Sequence, residues 1–145
     1  MDRTDTNLDA ALATVAGEIS RTDTKASLLL ALDGVLVAAL GTVGHLPTVG
    51  LAVAAVGVLA LIAAVALGIL VVRPRLGGHD RSSFPHWATC SLDEIQAGMT
   101  EDRRALRVKV LSGIAMAKMR ALQRAADCTL VAVIALAIAA LIAAA

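Results

Sequence analysis

Three sets of polar side chains in this sequence have chemistry to offer. Arg21, Asp23 and Lys25 stand in a charged run, RTDTK, directly before an apolar stretch. Arg103, Arg104 and Arg107 cluster in a second polar segment. Asp33 is a single acid inside the apolar stretch Ala26–Val43. Guanidinium and ammonium groups at such density can hold an anion, because arginine grips a phosphate with a two-pronged fork and lysine meets it as a point charge. The same groups also serve any segment flanking a membrane, where they set orientation and meet headgroups. Asp33 poses a different problem. A carboxyl near the centre of a membrane helix costs about 2.5–3.5 kcal/mol on insertion scales. At roughly 12 Å along a helix from Lys25, it has to face protein or water. It reads as a pore-lining or proton-sensitive residue, or as a neutral acid hydrogen-bonded to a neighbouring helix or another subunit. In an oligomer, one such residue per chain becomes a ring.

Other chemistries lack their residues. His45, His79 and His86 fall in turns or loops, and no histidine pair has helical ligand spacing. No glycine-rich loop runs into a GK[ST] sequence. Cys90 and Cys128 form no CxxC and read as reduced thiols. The expectation is a protein that is not an enzyme, with no metal, no cofactor and no nucleic-acid partner.

The elements that position these residues are set by hydropathy. The chain has 145 residues, 58% of them hydrophobic, and a net charge of +1. Its mean hydropathy of +0.78 belongs to membrane proteins rather than soluble domains. No apolar run precedes Lys25, so a cleavable signal peptide is not expected. Residues 1–25 predict an amphipathic cytosolic helix: Leu8, Leu12, Val15 and Ile19 recur on one face, Asp5, Asp9 and Glu18 lie opposite, and Thr6 is placed to cap it. Residues 26–43 predict a first transmembrane span. A tight turn over 44–48 leads to a second over 49–72, uninterruptedly apolar, with Ala60, Ala64 and Gly68 four apart for close helix approach.

Pro74 ends that span, and Arg73 and Arg75 face the headgroups. Residues 73–90 predict a cytosolic loop whose aromatics, Phe84 and Trp87, lie on the membrane or on the helices. Ser91 and Glu94 form a capping box that opens a charged cytosolic helix over 91–127, with a possible bend at Gly113. Residues 128–145 predict a third span. All 13 Lys and Arg residues lie before the first span or between the second and third. The positive-inside rule then puts the N-terminus and the long loop in the cytoplasm and the C-terminus outside. The expected fold class is an all-α integral membrane protein: three transmembrane helices, with N-terminal and central amphipathic cytosolic helices extending from the spans.

The run Arg21-Thr22-Asp23-Thr24-Lys25-Ala26-Ser27, continuing to Asp33-Gly34, resembles the start of the small transmembrane effectors of Pycsar (pyrimidine cyclase) antiphage systems. The Arg73-Pro74-Arg75 exit, the aromatic loop and the charged helix entering a last span are similar too. The resemblance covers most of the chain, in element order more than in exact residues. It implies an antiphage membrane effector, activated by a cyclic pyrimidine nucleotide, cCMP or cUMP, that disrupts the inner membrane and causes abortive infection. Sensing would fall to the cytosolic helices. Asp23 and Lys25 match the family pattern. Together with Arg21, Arg103, Arg104 and Arg107 they make up the ligand-binding candidates. The implied partners are the lipid bilayer, the nucleotide and further copies in a homo-oligomer. The alternative is a small structural or pore-forming membrane protein of a mobile element, of plasmid-transfer type, with no small-molecule ligand.

Overall fold

The computed structural model describes residues 3–40, 46–74 and 84–144. Among them the chain is helical, with no strand: α1 (Arg3–Leu40), α2 (Thr48–Val72), α3 (Phe84–Trp87), α4 (Leu92–Met99) and α5 (Arg104–Ala144). Residues 41–43 of the expected first span, His45, Arg75, Gly77, Gly78 and His79 lie outside the described residues. The chain divides into two compact units. The first joins Met1–Arg21 to Pro74–Ala117, and the second joins Thr22–Arg73 to Lys118–Ala145.

In the first unit, the start of α1 forms as its pattern dictates. Leu8, Leu12, Val15 and Ile19 are half-buried while Asp9 is exposed. The helix is already formed at Arg3, so Thr6 lies inside it and is not its cap. The Thr14 hydroxyl donates back to the Ala10 carbonyl at 2.8 Å, which satisfies it without leaving the helix. The Ser91–Glu94 capping box is present: the Ser91 side chain accepts the Glu94 amide, and the Glu94 carboxylate accepts the Ser91 amide at 2.9 Å. The helix it opens stops at Met99. Residues 100–103 break what the sequence predicted as one element over 91–127, and Gly113 sits inside α5 rather than at a junction. Local hydrogen bonding explains the break. The Thr100 amide and hydroxyl both turn back to the Ala97 carbonyl, and the Asp102 carboxylate accepts the Arg104 amide at 3.0 Å, restarting the helix.

The second unit is packed with small residues on the inside. Ala26, Ala64, Ala125, Ala132, Ala135 and Ala139 are buried, with Leu61 and Val71 the large members of the core. The bulky side chains point out: Leu28, Leu32, Val35, Leu59, Ile62, Ile69, Leu70, Leu130, Ile134 and Leu141 are all exposed. A soluble bundle has the opposite arrangement. In lipid, where bulky apolar groups need no shelter from water, small residues let the helices close on one another. Gly57 and Gly68 show how tightly. A Cβ at Gly57 would sit 2.9 Å from Leu136 Cγ, and one at Gly68 would sit 2.8 Å from Leu30 Cδ2. Of the predicted small-residue row, Ala64 and Gly68 are buried and Ala60 is half-buried.

Among the described residues two helices, not the expected three, are long and apolar enough to cross a membrane by length and composition: α2, and the apolar end of α5. Only 28% of the most apolar stretch of each is buried. Of the expected first span, 26–43, the described residues include 26–40 only, and an 18-residue stretch ending at Leu40 takes in Asp23, Lys25 and Asp33. α2 ends at Val72, and Arg73 adopts the extended ψ of 126° that a following proline favours.

Candidate ligand site

The first unit holds a cavity of about 800 Å³, within the range of roughly 300–1,000 Å³ usual for small-molecule sites. α1 contributes Leu12, α3 contributes His86 and Trp87, and α4 contributes Glu94, Ile95 and Met99. The break before α5 and its first turn contribute Glu101, Asp102, Arg103, Arg104 and Arg107. Three of the four arginines predicted as ligand-binding, Arg103, Arg104 and Arg107, therefore line one cavity, but they are not equivalent.

Arg104 is fully committed. Its Nε and one terminal nitrogen donate to the Asp102 carboxylate at 3.0 and 2.9 Å. The remaining contacts run to α1: one nitrogen reaches Asp9 Oδ1 at 3.2 Å and the Asp5 carbonyl at 3.4 Å, and the other pairs with the Asp5 carboxylate. A guanidinium has five N–H donors, and these five contacts use them. The pairing holds the Asp102 carboxyl down to about 2 from its ordinary 3.8, chiefly through the Arg104 side-chain hydrogen bond. The same acids, Asp102 first, push the Arg104 guanidinium up. Arg104 is thus a clamp between the start of α5 and α1, rather than a free phosphate donor.

Arg103 forks onto the Glu101 carboxylate, with Nε at 2.8 Å. The Arg107 guanidinium has no hydrogen bond or ion pair among the described residues, and it lies over the Trp87 ring, 6.0 Å from the centroid. That distance is at the edge of cation–π attraction. Once Arg103 and Arg104 are matched to their acids, Arg107 is the cavity cation whose charge is uncompensated. Beside it, His86 Nε2 and Cys90 Sγ lie 3.2 Å apart on the cavity wall. Cys90 and Cys128 are both free thiols.

The charged run before the apolar stretch is divided. Arg21 belongs to the first unit and pairs with Glu18 at 2.8 Å on the exposed surface, outside the cavity lining. Asp23 belongs to the second unit, where it holds Lys118 at 2.5 Å. Lys25, in the same unit, is exposed. Asp33 is fully buried in the second unit, with Oδ1 2.9 Å from the Thr129 hydroxyl, so no solvent reaches it in this packing. Sequence reasoning missed the site role of Trp87 and the acids that occupy Arg104. The acidic face of the first helix, Asp5 and Asp9, was visible; that it answers an arginine 99 residues away was not.

Fold and site together define a small helical protein with an inside-out apolar unit and a charged unit carrying an arginine–tryptophan cavity. Residues 7–145 match the family model of the Pycsar effector protein domain, PycTM, and the chain belongs to that family. The family is one of antiphage defence effectors, and it is a transmembrane effector family rather than a cyclase family. No curated protein matches the chain. No solved structure matches it either.

Proposed function

We propose that this protein is an inner-membrane effector that a cyclic pyrimidine nucleotide, cCMP or cUMP, switches from a quiet packing to one that breaches the membrane, so that an infected cell dies before phage matures. The observation that carries this reading is Arg107 over Trp87: an uncompensated cation and an aromatic face in one cavity of about 800 Å³. A cyclic nucleotide has the complementary parts, a single phosphate charge and a flat base. The phosphate takes Arg107, with Arg103 able to turn from Glu101, and the base stacks on Trp87. Arg104 keeps the cavity in shape by tying α5 to α1. Lys25 and Asp23, which match the family pattern, support orientation at the membrane surface and the Lys118 pair. A shift from 1:99 to 99:1 between two packings requires about 5.5 kcal/mol of differential affinity, which a charged ligand and an oligomer of several copies can supply.

The unit that joins Met1–Arg21 to Pro74–Ala117 supports a cytoplasmic N-terminus. The ion pairs of Arg104 with Asp5 and Asp9 support a topology in which both segments share one side of the membrane, the side rich in Lys and Arg. With α2 crossing, the chain has to recross before Thr48, and the apolar residues 26–40 of α1 are the stretch available for it. The test is dye leakage from liposomes carrying the purified protein, with and without cCMP or cUMP. Leakage that needs the nucleotide, and that Arg107→Gln shifts to about 10–100-fold higher concentration, is the expected result. Indifference to both nucleotides, or a full response in Arg107→Glu, would overturn the reading.

A further inference from the structure

The free cations of the second unit gather at one end of it. Contacts across the unit fix the register of its helices. A Cβ at Gly68 would touch Leu30, one at Gly57 would touch Leu136, and one at Gly50 would touch Ile142. The Lys118 ammonium holds the Asp23 carboxylate, and the Thr129 hydroxyl meets Asp33. Within this unit α2 therefore runs opposite to α1 and α5. Arg73 lies as far beyond Gly68 as Lys25 lies before Leu30. Arg120 lies as far past Lys118 as Lys25 lies past Asp23. Lys25 of α1, Arg73 at the C-cap of α2 and Arg120 of α5 thus stand at one level. Arg124 is one helical turn, about 6 Å, further along α5, and its long side chain can reach back to that level.

All four side chains are exposed, and none makes a hydrogen bond or ion pair among the described residues. The acids of the unit leave most of this charge unanswered. Asp23 is taken by Lys118, Asp33 is buried against Thr129, and the exposed Asp127 offsets one cation of the four. The level is also the border of the apolar segments: Ala26 follows Lys25, Val72 precedes Arg73, and Cys128 opens the apolar end of α5. In a membrane that border lies at the depth of the headgroups. The unit has no Trp, Tyr or Phe to anchor it there, so the task falls to its cations. A choline or ethanolamine headgroup brings its own cation beside its phosphate. A glycerol headgroup brings the phosphate charge alone, and that is what an excess of positive charge selects.

We infer that this collar is a binding surface for anionic phospholipids, whose phosphates are gripped by the forks of Arg73, Arg120 and Arg124 and met by Lys25 as a point charge. The surface belongs wholly to the second unit, and it stands whether or not the cavity of the first unit binds a nucleotide.

The test uses the full-length protein in phosphatidylcholine vesicles that carry a trace of spin-labelled phosphatidylglycerol or of spin-labelled phosphatidylcholine. Electron spin resonance reads the fraction of each label immobilised on the protein. Wild type is expected to prefer the glycerol lipid by about fivefold or more, the attraction of one basic side chain at a membrane surface. The preference should fade as salt rises towards 1 M. Replacing Lys25, Arg73, Arg120 and Arg124 together by Gln should bring the two lipids level. If that variant does not fold, single changes answer: Arg120→Gln lowers the preference, while Lys109→Gln, which removes an exposed cation of the first unit, leaves it unchanged. Inorganic phosphate should displace no more label than chloride of equal ionic strength. Equal uptake of both lipids by wild type, full preference in the fourfold variant, or an equal loss in Lys109→Gln and Arg120→Gln would overturn the inference. So would displacement by inorganic phosphate, which would make the collar a site for free anions.

Discussion

Arg104 and Asp33 each reach across nearly the whole chain, to partners 99 and 96 residues away, and they do so in opposite ways. Arg104 spreads five donors over three acids at a wet surface. Asp33 has one partner for two oxygens in a dry interior. Around Arg104 water stands ready to replace any bond that is lost, so the pairing is redundant and its worth depends on salt. Around Asp33 nothing stands ready, so a single hydroxyl decides whether the carboxyl is satisfied. The number of contacts is thus a poor guide to how much a contact matters; the supply of replacements is a better one.

That contrast can be broken by substitution. Thr129→Val should have the largest effect, destabilising the second unit by up to about 3 kcal/mol as a buried acid loses its partner, read as the unfolding midpoint in detergent. Gly57→Ala should cost about 1–2 kcal/mol by overpacking, because its new methyl meets Leu136 Cγ and Ala135 Cβ. Gly68→Ala should cost less, since a turn of the Leu30 side chain relieves the clash. If Gly68→Ala proves the worse of the two, the packing described at Gly57 is wrong.

Arg104→Gln should act more weakly and show its surface origin. Its effect on amide exchange in the first unit should fade as salt rises towards 1 M. It should fade again in acid. Because Asp102 is held below its ordinary 3.8, the stabilisation is fully present above that value and is lost as pH falls through about 2. An effect that survives both treatments would mean the clamp is not electrostatic. Arg21→Ala should change stability by no more than about 0.5 kcal/mol, since its pair with Glu18 is a solvated helical neighbour contact.

What could be read from the sequence follows from range. The second apolar stretch was bounded within one residue of α2, because an unbroken apolar run allows little else. The Ser91–Glu94 capping box and the Leu8–Ile19 stripe were legible because their partners lie within a few residues. The stop at residues 100–103 was not: Met99 and Leu106 keep the apolar spacing going across it, and the turn is made by hydrogen bonds of Thr100 and Asp102 that composition does not mark. Arg103, Arg104 and Arg107 were found as a group by charge. Their division into a neutralised fork, a clamp and a free cation depends on Glu101, the three acids and Trp87, and two of those acids are distant in sequence.

The alanine and glycine interior of the second unit has a thermodynamic consequence of its own. Alanine and glycine have no side-chain rotamers to freeze, so bringing these helix faces together costs almost no side-chain entropy. Nor do they interlock as large side chains do, so sliding one helix along another breaks few shape-specific contacts. Two arrangements built on such smooth faces lie close in free energy. Between arrangements so nearly level, a modest difference in a ligand's affinity for the two is enough to choose.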